Sequence, residues 1–436
     1  MSQGGQRFVR VTQGYRDGRC GKTTAAFICG LFPLKLKSKP RRVKALCVAA
    51  DRFEVPGGER WRNVENMVAW LMELGGECSG AVRLSPADRP IEHEIRMVCT
   101  REVRRGDQLV RVPECALLSI ETESDDQLLF EEPRFIQLSY ILARECNKAL
   151  TSRWSPYLGT LPSFLDYHRS GGPLILWSDE ELQLLDFPYL FSATKWRQEK
   201  VDRLISTNCR RFIAAHCLSR AFLLKSSHLD CDKYCLIPLI DLVQHSSSPN
   251  AFMTVDSCGD VTLIAAHDIV EGQEVLTSYG NRPVLAFLSD YGFIPESTRD
   301  KDQVLINISP VLNDFSPVER YDEGELLRHP GQHSPSTWQP VTPSLYRFLA
   351  QILEKRGQGV IRHRVQELLG SLVTHTQGCF LSDLETDCDL LESDDFENAR
   401  ARLACRFRVF QKQGLQEIAD RLQPKRPRVS RVVPGK

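Results

Sequence analysis

No Cys-x-x-Cys pair occurs anywhere in the 436 residues. The fifteen cysteines are scattered from Cys20 to Cys405, and the nearest two, Cys231 and Cys235, have no second pair with which to complete a zinc site. No metal is therefore expected. An odd number of thiols in a long chain without a clear signal peptide points to reduced cysteines in the cytoplasm or nucleus. The chain also has no run of the roughly 18 to 20 apolar residues that a membrane span needs. Its longest candidate, residues 25–34, is followed at once by Lys35, Lys37 and Lys39, so no membrane partner is expected. Net charge is missing as well. Lysine plus arginine and aspartate plus glutamate stand at 56 each, so no global field steers the protein toward nucleic acid.

Acids are nearly absent from the first fifty residues, where Asp17 stands alone against Arg7, Arg10, Arg16, Arg19, Lys22, Lys35, Lys37, Lys39, Arg41, Arg42 and Lys44. Such a start is either an organelle transit peptide or a solvated basic tail; the scarcity of serine favours the tail. Gly21-Lys22-Thr23 has the end of a phosphate-binding loop, but the required earlier glycine is Arg16 and no apolar strand precedes it. That reading is rejected. What remains is the composition of a soluble globular protein, 42% hydrophobic and 26% charged. At this length the chain should form two domains plus tails.

From about Val64 the pattern becomes regular. Val68, Leu71 and Leu74 recur at helical spacing and Gly75-Gly76 stops the helix. Ile95–Cys99 and residues 109–113 read as strands joined through the polar turn Arg105-Gly106-Asp107. Residues 135–220 are helical, with a second helix expected over 204–224. Strand character returns at 235–242, in a hairpin whose loop Asp256-Ser257-Cys258-Gly259-Asp260 lies between Val255 and Val261, and at 274–278. A loop rich in proline and charge, 310–343, leads to three helical stripes. These run through Leu345, Phe348, Leu349, Ile352 and Leu353; through Val365, Leu368, Leu369 and Leu372; and through Leu403, Phe407, Phe410, Ile418 and Leu422. The fold class is α+β: short strands interrupted by a helical insertion, then an all-α domain. The divisions expected are a basic extension 1–58, a β-containing domain 59–295 with its insertion at about 130–215, a helical domain 300–423 and a basic tail 424–436.

Five segments, in order, carry a family name. Trp154-Ser155-Pro156-Tyr157-Leu158, with Leu161-Pro162, Trp177-Ser178 and Glu180-Glu181, resembles the insert of the Rubisco large-subunit-methyltransferase branch of SET-domain proteins. Ser219-Arg220-Ala221-Phe222 resembles that family's Ser-Arg-Ala-Phe signature. The segment from Pro238 to Gln244-His245 resembles its Asp-x-x-Asn-His segment. Tyr279-Gly280 with Asp290-Tyr291-Gly292-Phe293 is similar to its paired tyrosine-glycine closure. Leu384-Glu385-Thr386-Asp387 with Leu390-Leu391 is similar to its helical substrate-binding domain.

The resemblance implies an S-adenosylmethionine-dependent protein-lysine N-methyltransferase, a monomer acting on a non-histone protein substrate. It implies Tyr279 as the catalytic residue where cofactor and lysine meet. Arg220, Gln244, His245, Phe293, Ile95 and Met97 join Tyr279 in holding the cofactor, and Asp241, Phe222 and Tyr291 lie around the substrate lysine. Two departures stand out. The opening Gly-x-Gly is replaced by Glu94-Ile95-Arg96-Met97, and the asparagine before His245 is Gln244. They leave open a catalytically silent scaffold that binds a protein through its helical domain; in that case Glu94, Arg96 and Gln244 should fill the cleft.

Overall fold

The computed structural model describes residues 12–13, 57–86, 95–120, 132–225, 232–280, 282–295, 303–312, 324–328 and 343–422. The expected basic extension lies outside these residues, save for the strand Thr12–Gln13 and residues 57–58, and so do the tail 424–436 and most of the loop 310–343.

The strands obey the two-residue period of half-buried sheet. Ile95, Met97 and Cys99 are buried on one face of Ile95–Cys99, and Ala251, Met253 and Val255 do the same in Ala251–Val255. The hairpin forms where expected, with Val255 opposite Val261. The turn at Gly106 (φ 93°) joins strands of different sheets. Ile95–Cys99 pairs with Val82–Pro86, whereas Gln108–Val112 lies between Val261–Ala265 and Glu77–Cys78. The connection is too long for a hairpin and is tied to a third segment through the Val103–Ile269 bridge.

Three expectations are revised. Residues 204–224 are not one helix: Pro188–Leu204 ends there, Arg210–Arg220 is a new helix, and Ala221–Leu224 is a fully buried strand paired with Lys233–Leu236. Four consecutive apolar residues suit either state, and the neighbouring strand decides. Nor is 235–242 a continuous strand. After Leu236 the chain turns through Leu239 (φ 70°) into the single 3-10 turn Ile240–Leu242, which carries Asp241. Thirdly, strand structure continues past Gly292, as the hairpin of Gln303–Asn307 with Gly324–Arg328.

The helices Pro343–Lys355 and Arg362–Gly378 bury the expected stripes against Leu415 and Ile418 of the helix Ala399–Leu422. The first half of that long helix does something else. Leu403 and Phe407 pack with Leu174, Trp177 and Leu288, clamping the helical region onto the insertion. Arg400 reinforces the clamp, donating to the Gly171 carbonyl at 3.0 Å and to Glu181 at 2.6 Å. Asp387, buried on the helix Leu384–Ser393, is held by Arg408 at 2.7 Å and Lys412 at 2.6 Å, the double pairing a buried carboxylate requires. Among the described residues no helix is long and apolar enough to cross a membrane, and no group of three or more His, Cys, Asp or Glu could hold a metal ion.

Candidate active site

The site is assembled by a two-residue parallel pairing. Gln244–His245 lies beside Leu276–Thr277, with His245 opposite Thr277. Asn250 locks the crossing: its side-chain amide donates to the Glu274 carbonyl at 2.8 Å, and its oxygen accepts the Leu276 N–H at 2.7 Å. Tyr279, two residues beyond, is thereby brought against His245. Its N–H donates to His245 Nδ1 at 3.1 Å and its hydroxyl to the Val243 carbonyl at 2.9 Å. An imidazole that accepts at Nδ1 carries its proton on Nε2.

The helix Val284–Tyr291 then returns to the same place and ends on Gly292, in the left-handed conformation. It delivers Phe287, Tyr291 and, just past its end, Phe293 to one aromatic cluster. Tyr279 and Tyr291 stack with centroids 5.1 Å apart, and His245 lies 4.8 Å from Phe287 and 6.1 Å from Phe293. Burial among these rings lowers the His245 pKa to about 4, outweighing a bond to the Thr277 backbone that would raise it. His245 is thus neutral at physiological pH.

A second group closes the other end. Arg220, the last residue of its helix, donates to the Asp241 carbonyl at 3.0 Å and approaches the Asp241 carboxylate at 3.3 Å; the Tyr157 hydroxyl donates to the same carboxylate oxygen at 2.9 Å. Desolvation works against the Arg220 charge, but Asp241 overcomes it and the guanidinium's pKa is raised. Beneath, the Tyr167 hydroxyl lies 3.0 Å from both His216 Nδ1 and Ser219 Oγ.

Between the two groups is a cleft of about 370 Å³, within the range of roughly 300 to 1,000 Å³ usual for small-molecule sites. Of the expected site residues, Ile95, Arg220, Asp241, Gln244, His245, Tyr279, Tyr291 and Phe293 line it. Met97 and Phe222 do not. Met97 shares a face with Ile95 but lies deeper, its carbonyl covered by the Val275 N–H at 2.8 Å; Phe222 is sealed into the main core between Gln13 and Cys235. The burial of Tyr291 raises its hydroxyl pKa, and that hydroxyl has no hydrogen-bond partner among the described residues.

One whole wall was missed. Pro162, Asp166, Tyr167, Arg169 and Ser170, on and before the helix Phe164–Ser170, also face the cleft. Ser163-x-x-Asp166, a capping box with both bonds formed, and Gly171-Gly172 mark the ends of this helix in the sequence. Nothing in its spacing says which face would meet the cleft.

The His245 pKa yields a prediction. Because burial depresses it, the unfolded chain binds a proton below pH 6.5 that the folded chain refuses down to about 4. Stability should therefore fall across that window as pH drops. The effect should be at most about 2 kcal/mol once discounted for the ring's partial exposure. His245→Gln should remove that part of the pH dependence of chemical denaturation; an unchanged slope would show that the ring does not titrate as described.

Residues 95–280 match the family model described as SET domain. Among curated proteins, ribosomal lysine N-methyltransferase 4 of Saccharomyces cerevisiae is 24% identical over 280 residues, covering 53% of this chain and 56% of the yeast protein. N-lysine methyltransferase SETD6 of Mus musculus is 24% identical over 300 residues, covering 61% of each. The chain thus spans between 56% and 61% of the length of these relatives. Of the solved structures, the SET domain of LSMT bound to lysine and AdoHcy superposes with a TM-score of 0.60 at 20% identity, over 83% of this chain and 91% of that one. Rubisco LSMT bound to AdoMet has the same coverage, with a TM-score of 0.56 at 19% identity. The likeness to these structures establishes a shared fold.

Proposed function

We propose that this chain, a SET-domain protein through its residues 95–280, is an S-adenosylmethionine-dependent protein-lysine N-methyltransferase acting on a non-histone protein. The observation that carries the reading is an open cleft ending on two stacked tyrosines. The curated relatives, named as lysine methyltransferases, support it. So do the neighbouring structures solved with AdoHcy and AdoMet.

The residues present fit such a cofactor. Ile95, Leu242 and Phe293 offer apolar surface, while Arg220, Gln244 and His245 offer polar groups around the same space. When bound, S-adenosylmethionine would supply a methyl group on a sulfonium. To accept that methyl group, the substrate amine would have to be held uncharged and in line with it, and its nitrogen would shed a proton. A lysine must first lose its charge, which costs about 4.6 kcal/mol at pH 7 from a reference pKa near 10.4. A low-dielectric aromatic channel reduces that cost by disfavouring the ammonium. Tyr279 and Tyr291, stacked and buried, would form that channel, and the Tyr291 hydroxyl, buried with no hydrogen-bond partner among the described residues, would bind the neutral amine. Tyr279, fixed at both its N–H and its hydroxyl, would orient the acceptor for in-line attack.

A silent scaffold would have its cleft filled by Glu94, Arg96 and Gln244. Glu94 lies outside the described residues. Arg96 does not line the cleft and pairs with Glu274 at 3.8 Å. Gln244 turns its amide toward the backbone carbonyls of Ile95 at 3.4 Å and Leu242 at 3.3 Å. The longer side chain thus ties the opening strand to the 3-10 turn instead of blocking the cleft. The odd number of scattered cysteines in the sequence is the ground for proposing the cytoplasm or nucleus, with an organelle, from the basic acid-poor first fifty residues, as the alternative.

The deciding experiment is calorimetric titration of the full chain with S-adenosylmethionine and S-adenosylhomocysteine. Saturable micromolar binding, lost in Arg220→Ala and His245→Ala, is the expected result. Folded protein that binds neither ligand would overturn the enzyme reading in favour of the scaffold.

A further inference from the structure

The insertion segment Trp154-Ser155-Pro156-Tyr157-Leu158 supplies a side chain that stands behind the cleft rather than on it. Tyr157 is fully buried, on the short helix Ser155–Leu158. The turn that carries it is fixed from both sides. Its carbonyl accepts the Thr160 N–H at 2.9 Å and the Thr160 hydroxyl at 2.7 Å, and the Asn63 amide, from the helix Gly57–Glu73, donates to the Gly159 carbonyl at 3.0 Å. The Tyr157 hydroxyl is thereby aimed at the Asp241 carboxylate, to one oxygen of which it donates at 2.9 Å. Burial, and after it the charge of Asp241, holds that hydroxyl protonated well above its ordinary pKa, so it remains a donor.

Arg220 reaches for the same oxygen and stops at 3.3 Å. A charge-assisted N–H···O⁻ bond closes to roughly 2.7 to 2.9 Å when nothing prevents it. Here the nearer donor is the hydroxyl, which orients the carboxylate without adding a positive charge. Both bonds of Arg220 to Asp241, to the carboxylate and to the backbone carbonyl at 3.0 Å, come from one terminal nitrogen, and the buried Nε has no hydrogen-bond partner among the described residues. The guanidinium, which lines the cleft together with Asp241, is thus loosely held. We propose that Tyr157 is a positioning residue for the reaction: by occupying the Asp241 oxygen it keeps Arg220 from closing onto the carboxylate, and so keeps the guanidinium available to the cofactor. This deepens, and rests on, the methyltransferase reading. It gives the helical insertion a part in cofactor binding through a side chain that never touches the cofactor.

The test compares the full chain with Tyr157→Phe, Asp241→Asn and the double variant, by calorimetry with S-adenosylmethionine and S-adenosylhomocysteine and by urea unfolding. Tyr157→Phe should bind both ligands about tenfold more weakly, the scale of a hydrogen bond to a charged group, because Arg220 closes onto Asp241. Asp241→Asn removes the charge that draws the guanidinium, so adding Tyr157→Phe to it should change affinity by less than about twofold. A side chain that only packs would lose the same factor in both backgrounds, and that result would overturn the proposal. Trp154→Phe removes a buried bond from the same segment, to the Ala116 carbonyl at 3.1 Å, without touching Asp241. It should lower the urea midpoint at unchanged affinity; an equal loss of affinity there would make the effect one of packing and overturn the proposal too. Should Tyr157→Phe alone fail to fold, Asp241→Asn and the double variant still decide, because the two should bind alike and a tenfold difference between them overturns the role. Unchanged affinity in Tyr157→Phe would overturn the positioning role and leave the enzyme reading intact. If the folded wild type binds neither ligand, the enzyme reading fails, and Arg220 itself reports on Tyr157. Its modification by phenylglyoxal, located by mass spectrometry, should be at least about threefold slower in Tyr157→Phe, the scale of a net hydrogen bond, with no difference in the Asp241→Asn background. Equal rates would overturn the hold of Tyr157 on Arg220 whatever the cofactor result.

Discussion

Tyr279→Phe is expected to lower kcat by about 10²-fold or more, with the fold intact and S-adenosylmethionine affinity changed by less than about threefold. The hydroxyl donates to the Val243 carbonyl at 2.9 Å and the backbone N–H to His245 Nδ1 at 3.1 Å. The substitution keeps the second anchor and removes the first, so the ring stays in the cluster but is free to tilt against Tyr291. In-line transfer tolerates little of this, since a misplacement of about 1 Å costs about a hundredfold. Loss confined to kcat, with KM nearly constant, identifies an interaction used in the transition state rather than in binding. Single-turnover methyl transfer to a lysine peptide that the protein binds measures it. An undiminished rate would mean that the tyrosine merely packs, and would move the catalytic role to Tyr291.

The legibility of this arrangement from sequence was uneven, for physical reasons. Ile95–Cys99 and the hairpin around Gly259 could be read because alternating burial leaves a period in the sequence. The helical stripes after Leu345 leave one as well, although Leu403 and Phe407 were read as helical core and turn out to pack on Trp177 and Leu174. The site itself has no period. Its central pairing, Gln244–His245 with Leu276–Thr277, is two residues long, and the side chains it gathers come from Ile95 to Phe293. Only the ordered family segments pointed to them. The same resemblance carried Met97 and Phe222 along, yet depth of burial removes both from the cleft. The wall at 162–170 belongs to the insertion, where the signals mark where a helix starts and stops but not what it faces.

Gly292→Ala should destabilise the chain by about 3 to 5 kcal/mol, combining the penalty of a left-handed non-glycine residue with that of overpacking. Gly292 sits at φ 78°, and a Cβ there would come within 2.1 Å of the Gly172 carbonyl carbon and 2.2 Å of its oxygen. Backbone can retreat only if nothing holds it, and this loop is held three ways. The Trp177 indole donates to the carbonyls of Gly171 at 2.9 Å and Gly172 at 3.2 Å, and Arg400, from the long C-terminal helix, donates to Gly171 at 3.0 Å. The contact between two glycines is therefore where the insertion, the helical region and the end of the helix bearing Tyr291 are pressed together. Urea unfolding should show the loss as a lower midpoint at unchanged slope. Gly172→Ala, at φ 61° with a Cβ that would meet the Tyr167 Cβ at 3.0 Å and the Tyr167 carbonyl oxygen at 3.1 Å, should cost less because these contacts are much longer than those at Gly292. A Gly292→Ala protein with a wild-type midpoint would mean that the loop moves aside freely. Cofactor affinity should then fall even so, since that loop directly follows Arg169 and Ser170 of the cleft wall and its shift displaces them.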